Sequence, residues 1–206
     1  MSAAEAFVHR YEPGSGPATL LLLHGTGGDE LQLIDLGRQV APEAALLSPR
    51  GQVLEGGVAA RFFARRGMGN LDLDDLRLRG AELAHWVADA CAHYGRDAGR
   101  VIALGYSNGA NIASAIMLLR PGVLRRGALL RAMVPLEPEP LPSIDGTRVL
   151  ISNGRMDPIV SPDETERLAK LLQRAGADVE VHWQPAGHQL MPGDFAVAKT
   201  WLQSIE

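Results

Sequence analysis

"VIALGYSNGANIAS", residues 101–114, is the stretch on which the fold turns. An apolar run gives way there to a run of small residues, and at the seam Gly105 and Gly109 stand two residues either side of Ser107. A strand that feeds a helix through so tight a turn brings the two backbones together, so the glycines leave room that side chains would fill. The same turn holds Ser107 in a strained conformation, its hydroxyl over the carboxyl edge of a sheet and near the positive end of the following helix. Taken alone, the five-residue pattern fits an ordinary strand-to-helix turn equally well. What else lies at that edge of the sheet decides between the two readings.

Outward from the seam, apolar runs bounded by turn residues recur: ATLLLLH (18–24), AALLS (44–48), GALLRAMV (127–134), TRVLIS (147–152) and DVEVHW (178–183). Several are apolar throughout, as strands covered on both faces must be. Between them run helical spacings, through Leu76, Leu83, Val87, Ala90 and Tyr94, through Leu168, Leu171, Leu172 and Ala175, and through Phe195, Ala198, Leu202 and Ile205. The helix after residue 160 has Ser161 as N-cap, Pro162 at its first position, Glu164 to complete a capping box, and Gly176 past its end. Alternating strand and helix predict an α/β fold: a mostly parallel central sheet with helices on both faces, in one domain spanning 1–206. FVHRYEP, near the start, adds an edge strand. PLEPEPLPSIDG (135–146) is too short to form a helical lid, so no lid domain is expected. The Gly-spaced segment 51–70 reads as the one long irregular loop.

The chain has 206 residues, 46% of them hydrophobic, and a formal net charge of −4. That balance argues against nucleic acid or an anionic membrane as partner, since such binding needs a basic excess. The basic clusters RFFARRG and LRRGALLR read as solvated faces with buried stems. With one cysteine, Cys91, neither an internal disulfide nor a thiolate metal cluster can form, and no metal site is expected. MSAAEAFVHR lacks a positive start followed by an apolar stretch, and no apolar run is long enough to span a bilayer, so a soluble cytoplasmic protein without integral membrane association is expected.

A serine hydroxyl becomes a good nucleophile only when an imidazole takes its proton and a carboxylate holds that imidazole. His9 and His182 fall inside strand patterns, and His85 and His93 ride a helix. His188, in QPAGHQLMPGD, occupies the loop between the last strand and the last helix and is the best-placed base. Asp157, in LISNGRMDPIVSP, leaves the end of a strand, whereas Asp163 lies in a first helical turn where an acid mainly complements the dipole. The chain order Ser107, Asp157, His188 is the one that hydrolases with this elbow require. The N–H of Asn108 supplies one donor to a developing oxyanion. LLLLHGTGGDE, turning sharply at Thr26, supplies the other, with His24 bracing the loop. A phosphate cradle at GTGG is disfavoured by Asp29 and Glu30. Candidate pocket walls are Phe62, Phe63, Met68, Val160, Leu190 and Met191.

Together, LLLHGTGGDE, LSPRGQVLEGG, RFFARR, LGYSNGAN, NGRMDPIVSP and PAGHQL resemble, in order and over nearly the whole chain, the serine carboxylesterase/phospholipase family of the α/β-hydrolase superfamily. The resemblance implies Ser107, Asp157 and His188 as a catalytic triad, Thr26 and Asn108 as oxyanion donors, no cofactor and, as in many members, a homodimer. A small-molecule ester is the implied substrate. Lysophospholipase and acyl-protein thioesterase activities share every one of these residues, and a non-catalytic binding protein on the same scaffold is the alternative from another class.

Overall fold

The structure is a computed structural model that describes residues 3–67 and 69–205. Seven strands form one sheet: β1 (His9–Glu12), β2 (Thr19–Leu23), β3 (Ala45–Pro49), β8 (Val101–Tyr106), β9 (Arg126–Leu130), β10 (Arg148–Gly154) and β11 (Asp178–Gln184). Their spatial order is β1-β3-β2-β8-β9-β10-β11. All neighbours run parallel except β1, which pairs antiparallel with β3, His9 opposite Pro49. The segment expected as an edge strand is therefore an edge strand.

Alternation along the strands sorts the core into two layers. Leu21 and Leu23 of β2 face the layer of α2 (Leu73–His93), α3 (Asn108–Leu119) and α4 (Pro162–Arg174). Leu20 and Leu22 face the opposite layer, built from α1 (Ile34–Val40) and α5 (Pro192–Ile205). α1 has no counterpart among the helical spacings of the sequence. It is only seven residues long, too short to display a period, and its N-cap Leu33 makes no side-chain capping bond. Packing holds it instead: a Cβ on Gly37 would sit 3.0 Å from a Leu22 methyl.

α4 begins as expected, with Ser161 Oγ accepting the Glu164 N–H at 3.2 Å and Pro162 at its first position. The capping box is only half made. Glu164 Oε1 accepts the Val134 N–H at 3.0 Å, holding the segment after β9 in place of closing the reciprocal bond.

Two further expectations are corrected. GALLRAMV does not run as strand to 134; β9 stops at Leu130 because Arg131 takes a left-handed φ of 57°. Nor is 51–70 irregular. It folds into two antiparallel hairpins, β4 (Val53–Glu55) with β5 (Ala59–Arg61), and β6 (Arg65–Gly67) with β7 (Asn70–Leu71). Gly56 and Gly57, both with positive φ, turn the chain between β4 and β5, and glycines at such close spacing hid the short strands. Among the described residues, no helix is long and apolar enough to cross a membrane.

The strand order reverses direction between β2 and β8, where chain departing to β3 on one side returns on the other. Open α/β sheets form their crevice at such a point, outside the carboxyl ends of the strands.

Candidate active site

Ser107 sits alone between β8 and α3 with φ 52° and ψ −112°, in a region that L-residues rarely enter. A Cβ on Gly109 would lie 2.0 Å from Leu23 O, and one on Gly105 would lie 2.6 Å from Ala110 N. No side chain fits at either place, so the spacing of the two glycines follows from backbone contact. Ser107 N–H donates to Leu130 O at 2.8 Å, and Ser107 O accepts the Asn111 N–H at 2.9 Å, which holds the strained turn from both sides.

The loops after β10 and β11 deliver the other two residues. His188 Nε2 lies 2.9 Å from Ser107 Oγ, and His188 Nδ1 lies 2.7 Å from Asp157 Oδ2. Asp157 can only accept when ionised, which places the proton on Nδ1 and leaves Nε2 to receive one from the serine. Its other oxygen accepts the N–H groups of Ile159 at 2.8 Å and Val160 at 3.1 Å, so the carboxylate is fixed before the imidazole meets it. The loops close on each other through Gly154, where a Cβ would strike Ala186 O at 2.3 Å.

Arg131 fastens the His188 loop. Its Nε donates to Gly187 O (3.0 Å) and its Nη2 to Gln189 O (2.7 Å), the carbonyls on either side of His188. Nη1 donates to Ser152 O at 2.9 Å, and the fork meets both oxygens of Asp194 at 2.8 Å. Both side chains of this pair are fully buried. Tyr106 adds a bond from its hydroxyl to His188 O at 3.1 Å.

Thr26 and Asn108 line the same cleft as Ser107 and His188, a hollow of about 240 Å³. Its further lining includes Arg61, Arg65, Tyr106, Asn111, Met133 and Ile159. Thr26 Oγ1 accepts from Arg61 Nη1 at 2.6 Å, and the Gly27 N–H donates to Ala60 O at 2.9 Å, so the Thr26 loop rests on β5. Asn108 Oδ1 accepts the Phe62 N–H at 2.7 Å, while its buried Nδ2 has no hydrogen-bond partner. His24 braces the loop from below, with Nδ1 2.7 Å from Gly25 O and Nε2 accepting the Gly51 N–H at 2.8 Å.

The expected pocket walls are corrected. Phe62, Phe63 and Val160 are buried core residues that do not line the cleft, drawn inward by the apolar area they remove from water. Leu190 packs against the α1/α5 layer, Met191 is exposed, and neither lines the cleft. Met68 lies outside the described residues. RFFARRG and LRRGALLR are not simply solvated: Arg61 and Arg65 line the cleft, and Arg131, the last residue of the second cluster, is buried. A signal for Arg131 was present, since a lone cation inside the apolar run GALLRAMV must find a buried partner.

A serine on a strained strand-to-helix turn, above a sheet wound in this way, places the chain among the α/β-hydrolases. MhqD of Bacillus subtilis (strain 168), a hydrolase by name, is 43% identical over 195 residues, covering 95% of this chain and 97% of that protein. The crystal structure of a Bacillus cereus carboxylesterase superimposes with a TM-score of 0.94 at 40% identity, over 98% of this chain and 95% of that one. A carboxylesterase from Mesorhizobium loti does so with a TM-score of 0.91 at 35% identity, over 96% and 95%. No family model matches the sequence. On these similarities the chain belongs to the serine carboxylesterase/phospholipase family of the α/β-hydrolase superfamily.

Proposed function

We propose that this protein is a serine carboxylesterase that hydrolyses small or short-acyl carboxylic esters through an acyl-enzyme. The observation that carries the reading is the unbroken line from Ser107 Oγ through His188 to Asp157, at 2.9 and 2.7 Å. Ser107 Oγ attacks the ester carbonyl carbon as His188 Nε2 takes its proton. Asp157 stabilises the imidazolium, and the N–H groups of Asn108 and Thr26 receive the oxyanion. The tetrahedral intermediate collapses, and the alcohol leaves with the proton from His188. Water, deprotonated by the same nitrogen, then attacks the acyl carbon and releases the acid and Ser107. The names of the Bacillus cereus and Mesorhizobium loti proteins support ester chemistry. The small volume of the cleft supports a short acyl group over a lysolipid or a long-chain acyl-protein.

Ser107→Ala is expected to lower kcat by about 10⁴- to 10⁶-fold and to abolish labelling by a fluorophosphonate probe, with the fold unchanged by circular dichroism. Retention of more than about a tenth of the activity would remove Ser107 from the mechanism, since losing a nucleophile costs orders of magnitude more. A panel of esters, lysolipids and thioesters completes the test. Highest kcat/KM on long-chain lysolipids or thioesters would overturn the short-acyl assignment.

A further inference from the structure

Most polar side chains of the cleft are already engaged. The Tyr106 hydroxyl donates to His188 O, Thr26 Oγ1 accepts from Arg61, and Arg61 and Arg65 share Glu55. Asn111 differs. It lines the cleft one helical turn beyond Ser107, its N–H on Ser107 O at 2.9 Å, and residues so spaced along a helix have Cβ atoms about 5 to 6 Å apart. Its Oδ1 accepts the Met133 N–H at 3.0 Å. A backbone N–H can only donate, so this bond fixes which end of the amide is oxygen and leaves Nδ2 as the other end. Asn111 Nδ2 has no hydrogen-bond partner among the described residues. The unpartnered Nδ2 of Asn108 is shut off from solvent, whereas that of Asn111 is not, although Asn111 as a residue is only 6% exposed. The surface left to Nδ2 faces the cleft that Asn111 lines, where Leu71, Met133 and Ile159 supply apolar lining.

We infer that Asn111 is a specificity residue, that its Nδ2 donates to an uncharged carbonyl oxygen carried by the ester a short way from the scissile bond, and that the site therefore takes oxo esters. The inference rests on the esterase reading above. Nδ2 can only donate, so its partner must accept. A keto oxygen accepts without bringing a proton that needs a partner of its own. A carboxylate would enter with a charge whose lost hydration a neutral amide does not offset. Two carbons between the scissile bond and the keto group suffice to span from Ser107 to Asn111, given the spacing of neighbouring helical turns. Displacing water from such a donor by a group that cannot accept loses affinity, and a site built to hydrogen-bond a substrate rejects the analogue that lacks the bonding group.

The test compares kcat/KM on methyl 4-oxopentanoate with that on methyl 4-methylpentanoate, which has a methyl group in place of the oxygen, each corrected for its hydroxide-catalysed rate. 4-Acetoxy-2-butanone and 3-methylbutyl acetate form the matching pair with the oxo group on the alcohol side. The wild-type enzyme is expected to favour the oxo ester by about fivefold or more in one of the two pairs, which also tells whether the acyl group or the alcohol faces Asn111. Asn111→Asp keeps an acceptor for the Met133 N–H and turns the donor into a second acceptor, so that ratio should fall to about one or below. Both esters of a pair are uncharged, so the charge introduced by Asn111→Asp cancels in the ratio. Asn111→Ala should bring the ratio to about one, whereas loss of a merely structural residue would slow both esters and leave it alone. Methyl 7-oxooctanoate and methyl 7-methyloctanoate, whose difference lies beyond the reach of Asn111, should show no preference in the wild-type enzyme, a check that needs no variant. A wild-type ratio near one in both short pairs, an equal preference in the long pair, or a preference that survives Asn111→Asp overturns the inference while leaving the esterase reading intact. Absence of Ser107-dependent turnover of all these esters would instead overturn the esterase reading itself.

Discussion

Arg131 and Arg61 are both buried arginines beside the candidate active site, and they are neutralised in opposite ways. Arg131 meets a carboxylate, Asp194, that is as buried as itself, and spends its remaining donors on the carbonyls of Gly187, Gln189 and Ser152. That unit is closed: its charge is cancelled inside the protein, and it can act on the chemistry only by fixing where His188 stands. Arg61 shares a half-exposed carboxylate, Glu55, with Arg65, and gives its other donors to Phe63 O at 3.0 Å and Thr26 Oγ1 at 2.6 Å, at the wall of the cleft. The same side chain thus fastens the His188 loop from within the core in one place and the Thr26 loop at the cleft wall in the other. The position of the counter-ion decides which.

The clamp can be broken most severely from its acidic end. Asp194→Ala leaves the Arg131 charge buried without a partner, and removing one member of a buried pair destabilises by about 3 to 5 kcal/mol. Urea unfolding should register that loss. Replacing both together, Arg131→Met with Asp194→Leu, should recover at least half of the stability, because apolar residues of similar volume often substitute for such pairs. It should not recover catalysis. The carbonyls of Gly187 and Gln189 would have lost their donors, and kcat is expected to stay about tenfold or more below wild type, as misplacing a catalytic group by an ångström does. Full activity in the double variant would show that the pair contributes to stability alone.

This contrast marks how far the sequence could be read. Ser107, Asp157 and His188 were legible because each sits among turn residues after a strand pattern, apolar before Ser107 and Asp157 and alternating before His188, so local pattern places all three at one sheet edge. The parallel sheet and the cap of α4 were legible for the same reason. The roles of the arginines were not, because a guanidinium is buried or solvated according to a partner the chain brings from elsewhere. Arg131 and Asp194 are 63 residues apart. The same limit misassigned Phe62, Phe63 and Val160, whose nearness in sequence to site segments says nothing about which side of the backbone the core will claim.

On the Arg61 side the expected effect is smaller. Glu55→Gln removes the carboxylate shared by Arg61 and Arg65 and leaves the buried Arg61 without its charged partner, which should cost about 1 to 3 kcal/mol in urea unfolding, between the values for exposed and fully buried pairs. A loss below about 0.5 kcal/mol would mean that the bonds to Phe63 O and Thr26 Oγ1 suffice to hold Arg61, and the contrast with Asp194 would weaken.

The two walls should also part company in acid. The Arg131 clamp contains no histidine side chain, whereas the strand bearing Arg61 packs against Gly51, where a Cβ would strike Arg61 C at 2.3 Å, and Gly51 N–H donates to His24 Nε2. Because Gly25 O can only accept, His24 Nδ1 carries the proton and Nε2 must remain bare. Protonation would point a second N–H at the Gly51 N–H. Burial holds the His24 pKa below its ordinary 6.5, although the Gly25 carbonyl and the nearby Asp29 and Glu30 charges pull it back up, and Arg50 adds slightly to the lowering. The sign follows from linkage: below 6.5 the unfolded chain takes up a proton that the folded chain refuses, so the contribution is complete above 6.5 and is lost as pH falls toward the lowered folded value. Glu30 and Glu55, whose pKa values are lowered by Arg50 and Arg65, lose their contributions only at more acid pH, in the carboxylate range. Urea midpoints of wild type and His24→Gln, measured from pH 7.5 to 5, should therefore converge toward the acid end, the variant being less stable at pH 7.5 and less sensitive to pH. Parallel curves would show that His24 stays neutral in the unfolded chain or is protonated without harm in the folded one, and the Arg61 wall would then be no more acid-sensitive than the clamp.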